Sequence, residues 1–372
     1  MALAACRRYL RLILTIGNIN TTYDSEFSDF TVATNILSFD YSQSKAPIIN
    51  HYLSSTHSRT FTMAEIPVFP KNLKDYGYAF DDGGKLRKLD PKTMEPTNEG
   101  FDFNISDDPQ YNQKRYEALG EVINQYVYEL LEKEGLKRIP VPKESNVSLE
   151  LRSFVFACDK AFTSKKLLIL IHGSGVVRAG QWARRLIIND NLNSGTQIPY
   201  IRKAKQLGYG IIVLNTNDNR RGSEDPHRHM QTVWRDYIQS SPAEDIAIVA
   251  HSYGGVCTVK FAIENLKEFK KRVFAVGFTD SVHDMPAIGC DHLIQLANSE
   301  LCRTLDEYNR STVARNWVAS ELPLDTTVDC ASDDVPCVSA GHPVHEMTSW
   351  SCIESLFKFL EQRYCNRVKN KV

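Results

Sequence analysis

A serine flanked by small residues is the most chemically suggestive point of this sequence. An apolar run at residues 246–250 leads to His251 and Ser252, and Gly254 lies two residues beyond the serine. A buried strand, a sharp turn and a helix in this order form a nucleophile elbow, which requires small residues two before and two after the serine. Ala250 and Gly254 are small, so the pattern predicts that Ser252 is a nucleophile. The alternative is an elbow kept for structure alone, since a fold can outlive its activity.

A second apolar run, residues 167–171, ends in the glycine-rich sequence His172-Gly173-Ser174-Gly175. A strand that runs into H-G-x-G is typical of an oxyanion loop, because glycine lets backbone N–H groups approach a developing negative charge. The expected donors are the N–H of Ser174 or Gly175 and the N–H of Tyr253. We therefore predict an oxyanion site at Gly173, Ser174, Gly175 and Tyr253. A tight turn without a ligand is the alternative.

An acid and a base must follow the serine along the chain, in that order. Asp280 comes directly after the predicted strand 272–279 and is the best-placed acid. Three alternatives lie in a later loop: Asp329, Asp333 and Asp334. The base must come from the loop before the last helix, which holds His342 and His345. Either imidazole could accept the proton of Ser252, and a surface histidine without a catalytic role is the alternative for each.

These residues can meet only if a sheet carries them. The hydrophobic periodicity predicts strands at residues 147–157, 167–171, 210–214, 246–250 and 272–279, and helices at residues 113–133, 198–207, 227–240, 255–269 and 353–360. Buried strands that alternate with helices indicate an α/β fold, a doubly wound and mostly parallel sheet with helices on both faces. Sites in such folds form at the carboxyl ends of the strands. Residues 286–340 are interpreted as a cap over those ends.

Four regions are expected along the chain. Residues 1–62 are rich in Ser, Thr and Asn, lack periodicity and are expected to be a poorly ordered leader. Residues 63–146 are expected to form an N-terminal arm and a helix packed on the main domain. Residues 147–365 are expected to form the main α/β domain, and residues 366–372 a basic tail.

The composition disfavours several classes of protein, among them secreted and membrane proteins. The chain has 372 residues, of which 42% are hydrophobic, and its net charge is −1. A globular core is therefore feasible, but charge gives no general case for nucleic-acid binding. Nine cysteines without C-x-x-C pairs or His/Cys clusters disfavour a zinc site and indicate reduced thiols in the nucleus or cytoplasm. No metal and no cofactor are expected. Arg11 interrupts the N-terminal apolar stretch, and no run approaches the ~20 apolar residues of a membrane span, so secretion and a membrane role are disfavoured.

A basic strip lies close behind the predicted oxyanion loop. Arg178, Arg184 and Arg185 could contact an anion or an RNA phosphate. The alternative is a solvated helix face.

Several of these segments together resemble a known domain. Residues 112–134, 171–188, 250–255, 279–283, 338–341 and 345–350 resemble the Arb-type (argonaute-binding) domain of a family of co-transcriptional regulators. The resemblance covers residues 67–362 and implies an α/β-hydrolase-like fold. It also implies a role with argonaute, other ribonucleoproteins, chromatin or splicing factors in small-RNA-linked gene regulation, with any RNA contact indirect or weak.

The resemblance favours His345 over His342 as the base and carries Ser252 over as the nucleophile and Asp280 as the acid. The segment 215–233 is short, whereas relatives carry a long charged insert at this place. The chain therefore resembles a diverged paralogue. A regulatory protein is therefore the first functional hypothesis. An active serine hydrolase, an esterase or amidase with a Ser-His-Asp triad, is the alternative.

Overall fold

A sheet of eight strands organises the part of the chain that this computed structural model describes, namely residues 67–218, 220, 224–283, 313–329 and 335–371. A separate hairpin pairs β1 (Tyr78–Phe80) with β2 (Leu86–Lys88). The strands of the sheet are β3 (Leu136–Val141), β4 (Ser153–Cys158), β5 (Lys166–Ile171), β6 (Gly210–Val213), β7 (Asp245–His251), β8 (Val273–Thr279), β9 (Ala314–Val318) and β10 (Cys337–Ser339). Their order across the sheet is β3-β4-β6-β5-β7-β8-β9-β10. Strand β4 runs antiparallel to both of its neighbours, β3 and β6, and every other pair in this sheet is parallel, which confirms the predicted α/β class.

The interiors of the central strands are apolar, as expected where helices cover both faces of the sheet. All seven residues of β7 are buried. Successive side chains of β5 enter opposite layers, so that Leu168 and Leu170 join one core cluster while Leu167 and Ile169 join the other. A parallel strand buried on both sides therefore appears as a continuous apolar run rather than as an alternating one.

The helices fill these two layers. Their bounds are α1 (Pro109–Lys133), α2 (Arg184–Asn189), α3 (Leu192–Gly195), α4 (Ile198–Gln206), α5 (Pro226–Val233), α6 (Tyr253–Glu264), α7 (Leu266–Arg272), α8 (Thr348–Ser351) and α9 (Ile353–Lys369). One layer holds Leu131 of α1, Ile201 of α4 and Leu356 of α9. The other holds Met230 of α5 and Phe261 of α6.

Local sequence signals explain where several elements depart from the predicted ranges. Helix α1 begins before residue 113 because Asp108 accepts a hydrogen bond from the Gln110 N–H and Pro109 fits the first helical position. Strand β4 begins only at Ser153, after a 3₁₀ turn at Leu149–Leu151. The predicted helix 227–240 continues past α5 as a π-helical turn, Trp234–Ile238, and the predicted helix 255–269 is divided at Asn265 into α6 and α7.

Several described elements lie at or across the boundaries of the predicted regions. Residues Phe69–Val372 form one unit by their contacts, and β3 pairs with β4, so the expected boundary between residues 146 and 147 falls inside the sheet. Strands β9 and β10 extend the sheet, so these parts of 286–340 are not a cap. Helix α9 continues to Lys369, and Arg367 binds Asp245 with 2.5 Å between Nε and Oδ1, so residues 366–369 are not a free tail. The expected leader, residues 1–62, lies outside the described residues. Within those that are described, no helix is long and apolar enough to cross a membrane.

Candidate active site

Ser252 occupies a strained turn between β7 and α6. Its backbone has φ +51° and ψ −120°, a conformation that residues other than glycine rarely adopt. Two backbone hydrogen bonds hold it there: the Ser252 N–H donates to the Thr279 carbonyl (3.1 Å), and the Gly255 N–H donates to the Ser252 carbonyl (3.1 Å). A Cβ on Gly254 would lie 2.8 Å from the His172 carbonyl oxygen, which explains why a residue with no side chain is required there. This strand–turn–helix geometry is that of a nucleophile elbow.

The carboxylate of Asp280 and the imidazole of His345 form a hydrogen bond, with 2.7 Å between Oδ2 and Nδ1. Asp280 directly follows β8, and its Oδ1 accepts the N–H of Ala319 at 3.1 Å. A carboxylate oxygen accepts, so Nδ1 of His345 carries the proton of this hydrogen bond. The structure therefore brings the predicted acid, Asp280, and the predicted base, His345, into direct hydrogen-bond contact.

The alternative acids and base have other surroundings. The Nδ1 of His342 accepts the N–H of Val344 at 3.0 Å, so this ring is bound within its own loop. Asp329 is exposed. Asp333 and Asp334 lie outside the described residues. The hydrogen-bonded pair in the structure is thus Asp280 with His345.

The glycine loop after β5 lies directly against the serine. A Cβ on Gly173 would be 3.0 Å from Ser252 Cβ and 3.5 Å from its Oγ. The side-chain amide of Asn217 donates to the carbonyls of Gly173 (2.9 Å) and Val177 (3.1 Å), which fixes both ends of the loop. Gly175 has φ +98°, and Ser174 is exposed at the rim.

Sequence reasoning missed Asn217. A usable signal existed, because Asn217 lies shortly after the buried strand β6, at the same carboxyl edge of the sheet as the other site residues. Tyr253, the remaining predicted oxyanion residue, is the first residue of α6, so its N–H lies at that helix's N-terminus beside Ser252.

Three neutral histidines lie beneath the site. Burial lowers the pKa of His172 to about 4 and that of His229 to about 3. Burial, and then the charge of His345, lower the pKa of His251 to about 3. The Nδ1 of His172 contacts the Gly173 carbonyl at 2.8 Å. These rings contribute hydrogen bonds and packing rather than charge at neutral pH.

The predicted basic strip is divided: Arg184 is buried, Arg178 is half-buried and Arg185 is exposed. Arg184 is only 5% exposed, its Nη2 donates to the Val176 carbonyl at 2.9 Å, and its guanidinium packs on Gly120. Both the phosphate-contact and the solvated-face interpretations are therefore wrong for Arg184. Arg185 pairs with Glu346, next to His345, with 3.2 Å between Nε and Oε1. Among the described residues, no cluster of three or more His, Cys, Asp or Glu side chains could hold a metal ion.

The strand order, with a single antiparallel strand and a serine elbow after β7, defines an α/β-hydrolase-like protein. The chain belongs to the Arb2-domain family, whose model matches residues 69–221 and 220–324. It is 40% identical to the human protein named Cotranscriptional regulator ARB2A, over 79% of this chain and 81% of that protein. A Caenorhabditis elegans protein named as a FAM172 family protein homologue is 36% identical, over 78% of this chain and 87% of that protein.

Solved structures give more distant likenesses. The histone deacetylase Clr3 aligns with 73% of this chain and 42% of its own length, with TM-score 0.41 and 17% identity. An esterase from Pyrococcus furiosus aligns with 61% of this chain and 90% of its own length, with TM-score 0.36 and 15% identity.

Proposed function

We propose that this protein is a regulatory protein on an α/β-hydrolase scaffold that acts in co-transcriptional gene regulation. The observation that carries this proposal is the 40% identity to a protein named as a cotranscriptional regulator, across four-fifths of that protein. The proposed partners are argonaute or other ribonucleoprotein and chromatin factors, in small-RNA-dependent silencing or in splicing control. The proposed compartment is the nucleus, the cytoplasm or both. Any RNA contact is proposed to be indirect, since the net charge is −1 and Arg184 faces inward.

The partner proposal is tested by direct binding of purified components. The protein and its Ser252→Ala variant are each titrated with purified argonaute, with and without a bound small RNA. Equal affinity of both forms for argonaute supports a regulatory role that does not need the serine. If neither form binds argonaute, the argonaute link is contradicted. If the protein is not found on nascent transcripts in cells, the wider regulatory proposal is contradicted.

A second candidate function is that of a serine hydrolase, an esterase or an amidase. The favouring observation is the 2.7 Å hydrogen bond between Asp280 and His345 on the same sheet edge as the Ser252 elbow. In this reaction Nε2 of His345 takes the Ser252 proton while Oγ attacks the acyl carbon. The N–H groups of the glycine loop and of Tyr253 stabilise the oxyanion. His345 then protonates the leaving group, and water releases the acyl group in a second cycle.

A fluorophosphonate probe tests this candidate because it phosphonylates only an activated serine. Wild type is labelled beside Ser252→Ala, His345→Ala and the matched control His342→Ala. Labelling that is lost in the first two variants and retained in the third supports a working nucleophile–base pair. A folded wild-type protein that takes no label contradicts the hydrolase candidate.

A further inference from the structure

The ring of His251 lies between His345 and the glycine loop at Gly173. Its centroid is 4.6 Å from that of His345, with the ring planes 35° apart. On another side, a Cβ on Gly173 would lie 3.5 Å from His251 Cδ2. The same residue precedes Ser252 in the chain. One side chain therefore packs on the predicted base, lies close to the glycine loop and belongs to the residue next to the predicted nucleophile.

Hydrogen bonds fix the orientation of this ring. The Nδ1 of His251 is 2.9 Å from the Thr279 carbonyl oxygen, which can only accept, so Nδ1 carries the proton. The hydroxyls of Thr279 and Ser349 lie 3.1 Å and 3.3 Å from the same nitrogen, and are 2.8 Å from each other. Thr279 precedes the acid, and Ser349 lies in α8, just after His345. The anchor of His251 thus joins the two segments that supply the acid and the base.

The charge state of His251 suits a ring packed against a base. During acyl transfer His345 becomes an imidazolium, and a second positive charge at 4.6 Å would oppose that step. Burial keeps His251 neutral, with its pKa lowered to about 3. It can therefore support the imidazole of His345 without repelling its charged form.

We propose that His251 is a positioning residue, whose ring is the surface that holds the His345 imidazole with Nδ1–H directed at Asp280. The proposal rests on the proposed Ser-His-Asp site and adds to it a residue that acts through the base. His251 contacts neither substrate nor the reacting atoms in this role.

Two substitutions separate the ring from its hydrogen bond. His251→Phe keeps a flat ring beside His345 and loses the Nδ1–H donor. His251→Gln keeps an amide donor for the Thr279 carbonyl and loses the ring. His283→Gln is the matched control, since His283 is also buried and stacks at 4.5 Å on a different ring, that of Phe278.

The primary readout is the tautomer of His345, measured by NMR on protein labelled with ¹⁵N in its histidines and assigned with His345→Ala. We expect the Nδ1–H tautomer in wild type, His251→Phe and His283→Gln, and a mixture of tautomers in His251→Gln. Fluorophosphonate labelling is expected to stay within about threefold of wild type in His251→Phe. In His251→Gln it is expected to fall by about tenfold to a hundredfold, the cost of a misplaced catalytic group.

A single tautomer in His251→Gln, or a mixture in His251→Phe, would overturn the proposal. If wild type takes no label, the hydrolase candidate fails, while the tautomer measurement still decides whether His251 orients His345.

Discussion

Asp280 and His345 are 65 residues apart in the chain, yet Oδ2 of one lies 2.7 Å from Nδ1 of the other. The carboxylate is shared, because its second oxygen accepts the N–H of Ala319 at 3.1 Å. Two donors, the Ala319 N–H and His345 Nδ1–H, therefore converge on the Asp280 carboxylate. The bond from Ala319 fixes the carboxylate that faces His345.

Asp280→Asn tests this arrangement. An amide has one oxygen for two donors, so its NH₂ group faces Nδ1 of His345 and favours the wrong tautomer. We expect fluorophosphonate labelling to fall by about a thousandfold or more, with the fold retained. Asp325→Asn is the control, since that carboxylate accepts from Trp317 Nε1 (2.9 Å) and Ser355 Oγ (2.6 Å) instead. The measurements are the labelling rate and the melting temperature; equal rates for both variants would contradict the assigned role of Asp280.

Gly173→Ala tests the contact between the glycine loop and the nucleophile. The new methyl group would lie 3.0 Å from Ser252 Cβ, closer than two carbons normally approach. We expect unfolding to become easier by about 1–3 kcal/mol and labelling to fall at least about tenfold, because the loop or the serine must shift. Gly100→Ala is the control, since a Cβ there meets no atom within 4 Å. Urea denaturation and labelling rates measure both effects, and a fully active Gly173→Ala protein would contradict this geometry.

Arg184 and Arg185 are neighbours with opposite roles, so each serves as the control for the other. Arg184→Ala removes the shorter of the two hydrogen bonds to the Val176 carbonyl, which keeps only the 3.2 Å bond from Arg178, and it removes a buried side chain. We expect it to lower the free energy of unfolding by about 2–3 kcal/mol. Arg185→Ala should cost less than about 1 kcal/mol, because Arg185 is 54% exposed in its pair with Glu346. Chemical denaturation of both variants gives the comparison, and equal costs would show that Arg184 is not structural.

Acid should weaken the fold through its buried histidines. In the folded state the pKa of His251 is about 3, and its ordinary value is 6.5. Between those values the unfolded chain binds the extra proton, so the free energy of unfolding falls as pH drops below 6.5. Each such histidine contributes a slope approaching about 1.4 kcal/mol per pH unit. His251→Phe is therefore expected to show a shallower decline than wild type between pH 6.5 and pH 5 in urea denaturation, and parallel declines would show that His251 does not titrate in this way.

The elements most accurately predicted from sequence are those buried on both sides. Strands β5 and β7 appear as unbroken apolar runs because two helical layers cover them, and their ends position Gly173 and Ser252. Asp280 and His345 were candidates because chain order and strand ends restrict where an acid and a base can lie. Sequence order alone does not decide between His342 and His345 as the base, because the two differ in where their rings point and what they bind.

Other features could not be predicted because partners distant in sequence create them. Strands β9 and β10 are short, and each is recognisable only through its neighbour in the sheet. Arg184 reads as a surface cation until Gly120 of α1 is seen to leave room for it. The inward position of His251 likewise depends on Thr279 and Ser349, which lie far along the chain.

The strand order also bears on how the molecule folds. Strand β5 lies between β6 and β7, so its pairings join segments separated by whole helices, and the site residues extend from Gly173 to His345. Contacts of such long sequence separation form late, because loop closure must precede them. The site therefore exists only once these long-range strand pairings have formed. A partly folded chain could form most of its helices and still lack the arrangement of Ser252 beside the Asp280–His345 pair.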